Sequence, residues 1–210
     1  MKVSRLIAGI LVAVSSGAAT FCAEIHEASA RGDLHEIASL LAAGTDVNSR
    51  TEKGETPLMI ASYLGYQEIV QLLLAKGGDA NAMTTATLIN VLQLGEYSPD
   101  KAEIYPTGAR ALHFAATHGH AGIAQLLLAN GAEINAADDD NATALIDACA
   151  YGRKEVVRVL LANMADFRPR TKEGLTALDL ANRNGYPEIV KLLEAAGASS
   201  PRPGLRQPGA

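Results

Sequence analysis

The chain has 210 residues, 48% of them hydrophobic, with three Phe, no Trp and a net charge of −5. That length allows one domain with a continuous core, and the scarcity of large aromatics points to thin layers packed through Ala, Leu, Ile and Val. The acidic balance argues against nucleic acid or an anionic membrane surface as the main partner.

Met1–Ala23 reads as a secretory signal peptide. Lys2 and Arg5 form a basic start, Leu6–Val14 an apolar run of signal length, and Ser15–Ala23 a small, mildly polar end. Ser16-Gly17-Ala18 suits a peptidase; cleavage after Ala23 suits it less, because Phe21 stands at the third position before the cut. The alternative is an uncleaved anchor, since Leu6–Ala23 is 18 residues without charge, the lower limit for a span. Ser15, Ser16, Gly17 and Thr20 weaken that alternative. Ala19-Thr20-Phe21 before Cys22 does not match a lipoprotein signal. Export would leave Cys149 as a lone thiol with no disulfide partner, on a first-helix position shared with Ala116, Ser62 and Asn182.

From residue 24 the chain repeats. Residues 24–50 keep His26, Ala28, Gly32, Glu36, Ile37, Leu40, Leu41 and Gly44 but lack the opening motif of later units. Residues 51–83 supply that motif, Thr56-Pro57-Leu58 with Ala61. Gly32 to Gly65, Gly44 to Gly77 and Asn48 to Asn81 are each steps of 33. The next step, Gly65 to Gly119, is 54, so 21 residues have been inserted. The insertion falls after Asn81, in the hairpin that links neighbouring repeats, at roughly Thr85–Pro106, or 84–104 by the repeat bounds. Thr87–Leu94 fits a short helix or strand, Gly95–Asp100 a turn. The apolar content (Leu92, Leu94, Tyr97, Ile104, Tyr105) suits either a tolerated excursion or a partner-contacting arm.

Residues 105–137 form the most complete unit. Ala111–Ala116 opens one helix, Gly119-His120 breaks it, and Ile123 with Leu126–Leu128 gives a second helix ended by Gly131. Leu127 is expected in the core. Arg110 stands where Thr would cap the first helix, so the cap is lost or replaced. Residues 138–170 carry Asn141 and Met164 at Gly phases; Asn tolerates the left-handed conformation, whereas Met predicts local distortion. Residues 171–198 close the array, with Glu194 on the second helix where Leu74, Leu128 and Leu161 stand in the earlier units, as a capping unit allows. The tail 199–210, with three Pro and two Gly, reads as disordered.

A 33-residue period with Thr56-Pro57-Leu58, Ala111-Leu112-His113 and Thr176-Ala177-Leu178 in one phase resembles the ankyrin repeat over roughly 24–198. The resemblance implies an all-α solenoid of about five helix-turn-helix repeats joined by β-hairpin turns, with a concave groove as its binding surface. Carried over by phase, the hairpin positions of that groove are Glu52, Lys53, Glu55, Asp139, Asp140, Ala142, Lys172, Glu173 and Leu175. The helix positions are Tyr63, Leu64, Thr117, His118, Ala150, Tyr151, Arg183 and Asn184. The expected function is non-catalytic binding of another protein, by a monomer exported to the periplasm or beyond. The chain is also similar to small exported bacterial ankyrin proteins, some associated with peroxide defence through a catalase. A toxin neutralised by an immunity protein is a second partner class. The membrane enters only if the first segment stays uncleaved.

Chemical motifs were sought in the same residues. There is no Gly-rich phosphate loop and no Gly-x-Ser-x-Gly elbow. His113, His118 and His120 are close in sequence, but a zinc site needs a fourth converging ligand, and each has a place in the repeat. Asp138-Asp139-Asp140 lacks the spacing and glycine of a calcium loop and reads as a solvated hairpin tip or a contact for basic partner residues. No cofactor is expected. An enzyme with its site in the insertion, or around His118 and Cys149, is the reading from another class.

Overall fold

The computed structural model describes residues 17–85, 88–89, 104–105 and 107–198. Most of the expected signal segment, the centre of the insertion and the tail 199–210 lie outside the described residues. The described chain forms five helix pairs: α1 (Gly17–Arg31) with α2 (Leu34–Ala42), α3 (Pro57–Leu64) with α4 (Gln67–Ala75), α5 (Ala111–His118) with α6 (Ala121–Ala129), α7 (Ala144–Ala150) with α8 (Lys154–Ala162), and α9 (Ala177–Arg183) with α10 (Pro187–Ala195). Two short strands, β1 (Leu88–Ile89) and β2 (Ile104–Tyr105), pair antiparallel, Leu88 opposite Tyr105 and Ile89 opposite Ile104. This is the all-α repeat solenoid that the sequence predicts. No described helix is long and apolar enough to cross a membrane. Helix α1 runs without a break across Ala23 and Glu24.

Local signals set the helix ends. Thr56, Thr143 and Thr176 each accept a hydrogen bond from the third backbone N–H beyond, at 3.3, 3.4 and 3.2 Å. Asp179 returns the favour to the Thr176 N–H at 2.9 Å, a capping box. At Arg110 the cap is replaced: its own N–H donates to His113 Nδ1 at 3.1 Å. Pro57 and Pro187 sit at first-turn positions, where no intrahelical N–H is required.

The odd-numbered helices stack as one layer and the even-numbered ones as a second, with the core between them. Leu58, Leu73, Phe114, Ile123, Leu127, Leu145, Leu160, Leu178 and Leu193 are almost wholly buried there. A unit alone would expose apolar surface that its neighbours cover, so neighbours hold each other folded. Met164 takes φ of 64° and Asn141 φ of 59°. Met164 does not distort the turn: Met164 N to Leu161 O (3.1 Å) and Ala165 N to Leu160 O (3.0 Å) reproduce Gly131 N to Leu128 O (3.1 Å) and Ala132 N to Leu127 O (3.0 Å). The expected distortion is therefore absent; the strain is confined to one backbone angle beneath a side chain 84% exposed.

Two side-chain ladders lock successive repeats. Asn48 Nδ2 donates to Gly77 O at 3.0 Å while its Oδ1 accepts from Asp79 N at 2.7 Å. Asn81 makes the same pair with Gly131 O (2.9 Å) and Glu133 N (2.8 Å), across the insertion. Asn135 Oδ1 accepts from Asp166 N at 2.8 Å, and at the next phase Arg168 stands instead, paired with Asp166. On the other side of the helices, the residue after each inter-helix glycine covers the glycine before it. His120 Nε2 bonds Tyr63 O at 3.1 Å, and a Cβ added to Gly65 would lie 2.5 Å from the His120 ring. Arg153 Nε donates to Thr117 O at 2.7 Å in the same way.

Hairpin pairing locates the insertion. Thr51, Asp138 and Thr171 donate to Glu55, Ala142 and Leu175 carbonyls, and Thr84 donates to Ala109 O. Tips then join: Thr85 N to Lys53 O, Asp139 N to Thr107 O and Lys172 N to Asp140 O, all at 2.9 Å. Thr85 is thus the counterpart of Asp139, and Thr107 of Asp140. The excursion occupies 86–106, in the hairpin as the sequence suggests, with edges shifted from 84–104, and the β1–β2 pair lies within it.

Candidate partner-binding groove

The groove is walled by the hairpin tips on one side and by the tip-facing edges of α3, α5, α7 and α9 on the other. Of the positions carried over by phase, Glu52, Lys53, Asp139, Asp140, Lys172, Glu173, Arg183 and Asn184 are exposed, and Tyr151 is 45% exposed. Tyr63, Leu64, His118, Ala150 and Leu175 are half-buried. Glu55, Thr117 and Ala142 are buried, which corrects their placement on the open surface. Thr117 is tied inward, its hydroxyl donating to His113 O at 3.0 Å. Glu55 turns back on its own hairpin, accepting from Thr51 Oγ1 at 2.9 Å. Asn184 is exposed but holds Ala150 O at 2.8 Å, so part of its side chain serves the stack.

The structure divides these residues into two patches. In the first, the Tyr63 ring lies edge-on to Phe114 (centroids 6.3 Å apart) and against His118 (4.1 Å). His118 Nδ1 bonds Phe114 O at 3.1 Å and its ring stacks over His120 at 6.1 Å. Burial, chiefly, holds the His120 pKa below its ordinary value, with the His118 and Arg153 charges adding to it. Together these rings form an aromatic patch.

The second patch is a pocket of about 510 Å³ between the fourth and fifth repeats. Asp138, Asp140, Asp147, Lys172 and Glu173 bring charge to it, Tyr151 stands at its edge, and Ile146, Leu175 and Leu180 give it apolar wall. Lys172 Nζ pairs with Asp140 at 3.6 Å and Arg183 with Glu173 at 4.0 Å. Asp138 Oδ1 accepts from the Asp140 and Ala142 amides, both at 2.9 Å. Asp147 was missed by phase counting, and the sequence does hold a signal for it. Ile60, Phe114 and Leu180 occupy its phase, so Asp147 is a carboxyl where the other motif-bearing repeats are apolar. Burial, and then the Asp138 charge, raise its pKa well above the ordinary carboxyl value.

Cys149 is fully buried on α7, and burial pushes its thiol up to about 12, leaving it protonated and inert at neutral pH. Among the described residues no group of three or more His, Cys, Asp or Glu converges where a metal ion would fit.

A stacked array of short helix pairs with tips on one side is a helical repeat solenoid whose concave face is open for recognition. The model for ankyrin repeats matches in three overlapping stretches, 25–138, 83–171 and 112–201. The chain belongs to the ankyrin repeat family. It is similar to a probable E3 ubiquitin-protein ligase, XBOS32, of Oryza sativa subsp. japonica (38% identity over 50% of this chain and 17% of the relative). It is similar also to NF-kappa-B inhibitor alpha of Homo sapiens (35% over 49% of this chain and 28% of the relative). A third relative is protein phosphatase 1 regulatory subunit 27 of Mus musculus (35% over 39% of this chain and 53% of the relative). The matched stretch spans about a fifth to a half of these relatives' lengths. Ankyrin repeats generally bind other proteins.

Proposed function

We propose that this chain is an exported, non-catalytic scaffold that binds one partner protein through the groove between its hairpin tips and odd-numbered helices. The observation that carries the reading is the groove itself: exposed tips, an aromatic patch and a charged pocket on one face of a ladder-locked array. That two relatives are by name an inhibitor and a regulatory subunit supports a binding role over a catalytic one. Export to the periplasm rests on the sequence of Met1–Ala23. A stress-defence enzyme such as a catalase is the partner class to try first, on the resemblance to small exported bacterial ankyrin proteins.

The test is site-specific photo-crosslinking in the native host. A crosslinker at Tyr151 or Lys172 should trap one reproducible partner, and one at Gln125 or Arg158, exposed on the outer helices, should trap none. Crosslinks from the outer positions alone would overturn the groove reading. Intact mass of the recovered chain tests export: a start between Ala19 and Glu24 is expected, and full-length mass in the membrane fraction would make the first segment an anchor.

A further inference from the structure

We propose that the pocket between the fourth and fifth repeats receives a basic side chain, arginine or lysine, from the partner protein, its stem along Ile146, Leu175 and Leu180 and its charged head at Asp147. The inference rests on the groove reading and names the chemistry that the groove selects.

Four observations converge on it. The pocket, about 510 Å³, is wide enough for one long side chain and its flanking backbone. Its lining is amphipathic in the way a basic side chain is, with apolar wall and a carboxyl end. The neighbouring charges are already matched: Asp140 to Lys172, Glu173 to Arg183, and Asp138 Oδ1 to two backbone amides. Asp147 has no hydrogen bond or ion pair from its carboxyl among the described residues. And Asp147 stands at a phase that is apolar in the other motif-bearing repeats, Ile60, Phe114 and Leu180; the first repeat carries the exposed Glu27 there. A local rule broken without compensation inside the chain points to compensation from outside it.

The alternatives fit less well. An anion meets an acidic pocket, and an apolar side chain would leave the Asp147 carboxyl without a partner. A metal ion lacks a converging set of ligands among the described residues. Burial, and then the Asp138 charge, hold the Asp147 pKa high, and a cation at its carboxyl would offset both. The chain's net charge of −5 draws a basic surface toward it.

The experiment is an NMR titration of the full, ¹⁵N-labelled chain with N-acetyl-arginine amide, and in parallel with N-acetyl-citrulline amide, its neutral isostere. The arginine probe should move the amides of Asp147, Tyr151 and Leu175 saturably. Citrulline should bind at least ~10-fold more weakly, and Asp147→Asn should weaken the arginine probe by a similar factor, the discrimination a matched charge gives. Equal shifts from both probes, or an arginine response unchanged in Asp147→Asn, would overturn the proposal. The citrulline comparison needs no variant, so it stands even if Asp147→Asn folds poorly. Groove crosslinks without arginine preference sink this inference and leave the scaffold reading intact. Crosslinks on the outer face alone sink the scaffold reading whichever way the titration goes.

Discussion

Acidification should strip stability from this chain through His113. The ring is buried on α5 between two backbone groups: Nδ1 accepts from Arg110 N–H at 3.1 Å, and Nε2 faces Ala142 O at 3.3 Å. The first bond requires a bare Nδ1, so Nε2 carries the proton and donates across to the fourth repeat. Adding a second proton at Nδ1 sets it against the Arg110 N–H and places a charge in the core. Burial first, and the Arg110 charge besides, accordingly lower the His113 pKa from 6.5 to about 4. Between those two values the folded state binds fewer protons than the unfolded one. Stability is therefore full above about pH 6.5 and is lost as pH falls toward and through 4. The complete loss is about 3 kcal/mol, and at about pH 5 the share already lost is about 2 kcal/mol. The assay is urea unfolding followed by circular dichroism, at about pH 7.5 and about pH 5, for the wild-type chain and His113→Gln. The variant's constant loss of packing cancels in the difference between the two pH values, as does the contribution of His120. The wild type should lose about 2 kcal/mol more than the variant on acidification. Equal losses would refute the account of His113 as a neutral, doubly bonded core group.

Other expectations follow from the packing and the ladders. Leu127, with no exposed surface, should cost ~2–5 kcal/mol on truncation to Ala, measured by urea midpoint; a loss below about 0.5 kcal/mol would mean α6 is not packed as described. Asn81→Ala removes both halves of the clamp that joins the second and third repeats across the insertion, and should cost ~1–3 kcal/mol. Faster hydrogen exchange at the Glu133 amide would localise that loss, and unchanged exchange there would contradict it. Met164→Gly should stabilise by about 0.5–1 kcal/mol, because glycine accepts a φ of 64° that costs an L side chain, and the Met side chain leaves little contact behind. A destabilised Met164→Gly would show that the thioether packs after all.

The regularity of the repeat made the fold legible in one dimension. Phase alone placed Gly65, Gly119, Gly131 and Leu127, because a helix pair of fixed length returns the chain to the same point every turn of the solenoid. The caps at Thr56, Thr143 and Thr176 are local too, settled within four residues, so residue type declared them. Family membership follows from the same period. The groove was legible as a set of phases, and its exposed tips, Lys172, Glu173, Asp139 and Asp140, stand where phase put them.

Tertiary structure decided what phase does not encode. Whether a position on the list faces water depends on its neighbours in other repeats. Thr117 is closed over because Arg153 reaches its carbonyl from the next repeat, and Glu55 because it folds back onto Thr51. The tip bonds from Thr85 to Lys53 and from Asp139 to Thr107 set the edges of the insertion at 86 and 106, which residue counting placed at 84–104. Met164 was tolerated because its turn keeps every backbone bond of a glycine turn, an outcome set by the stack around it. Asp147 shows the division most clearly. Its letter breaks the pattern of the motif-bearing repeats, but only the closure of the fourth repeat on the fifth sets it in one pocket with Ile146, Leu175 and Leu180, where the lysine, Lys172, pairs with Asp140 instead. A repeat writes distances along the chain into sequence; burial and charge pairing are sums over residues far apart in it, and those exist only once the repeats have stacked.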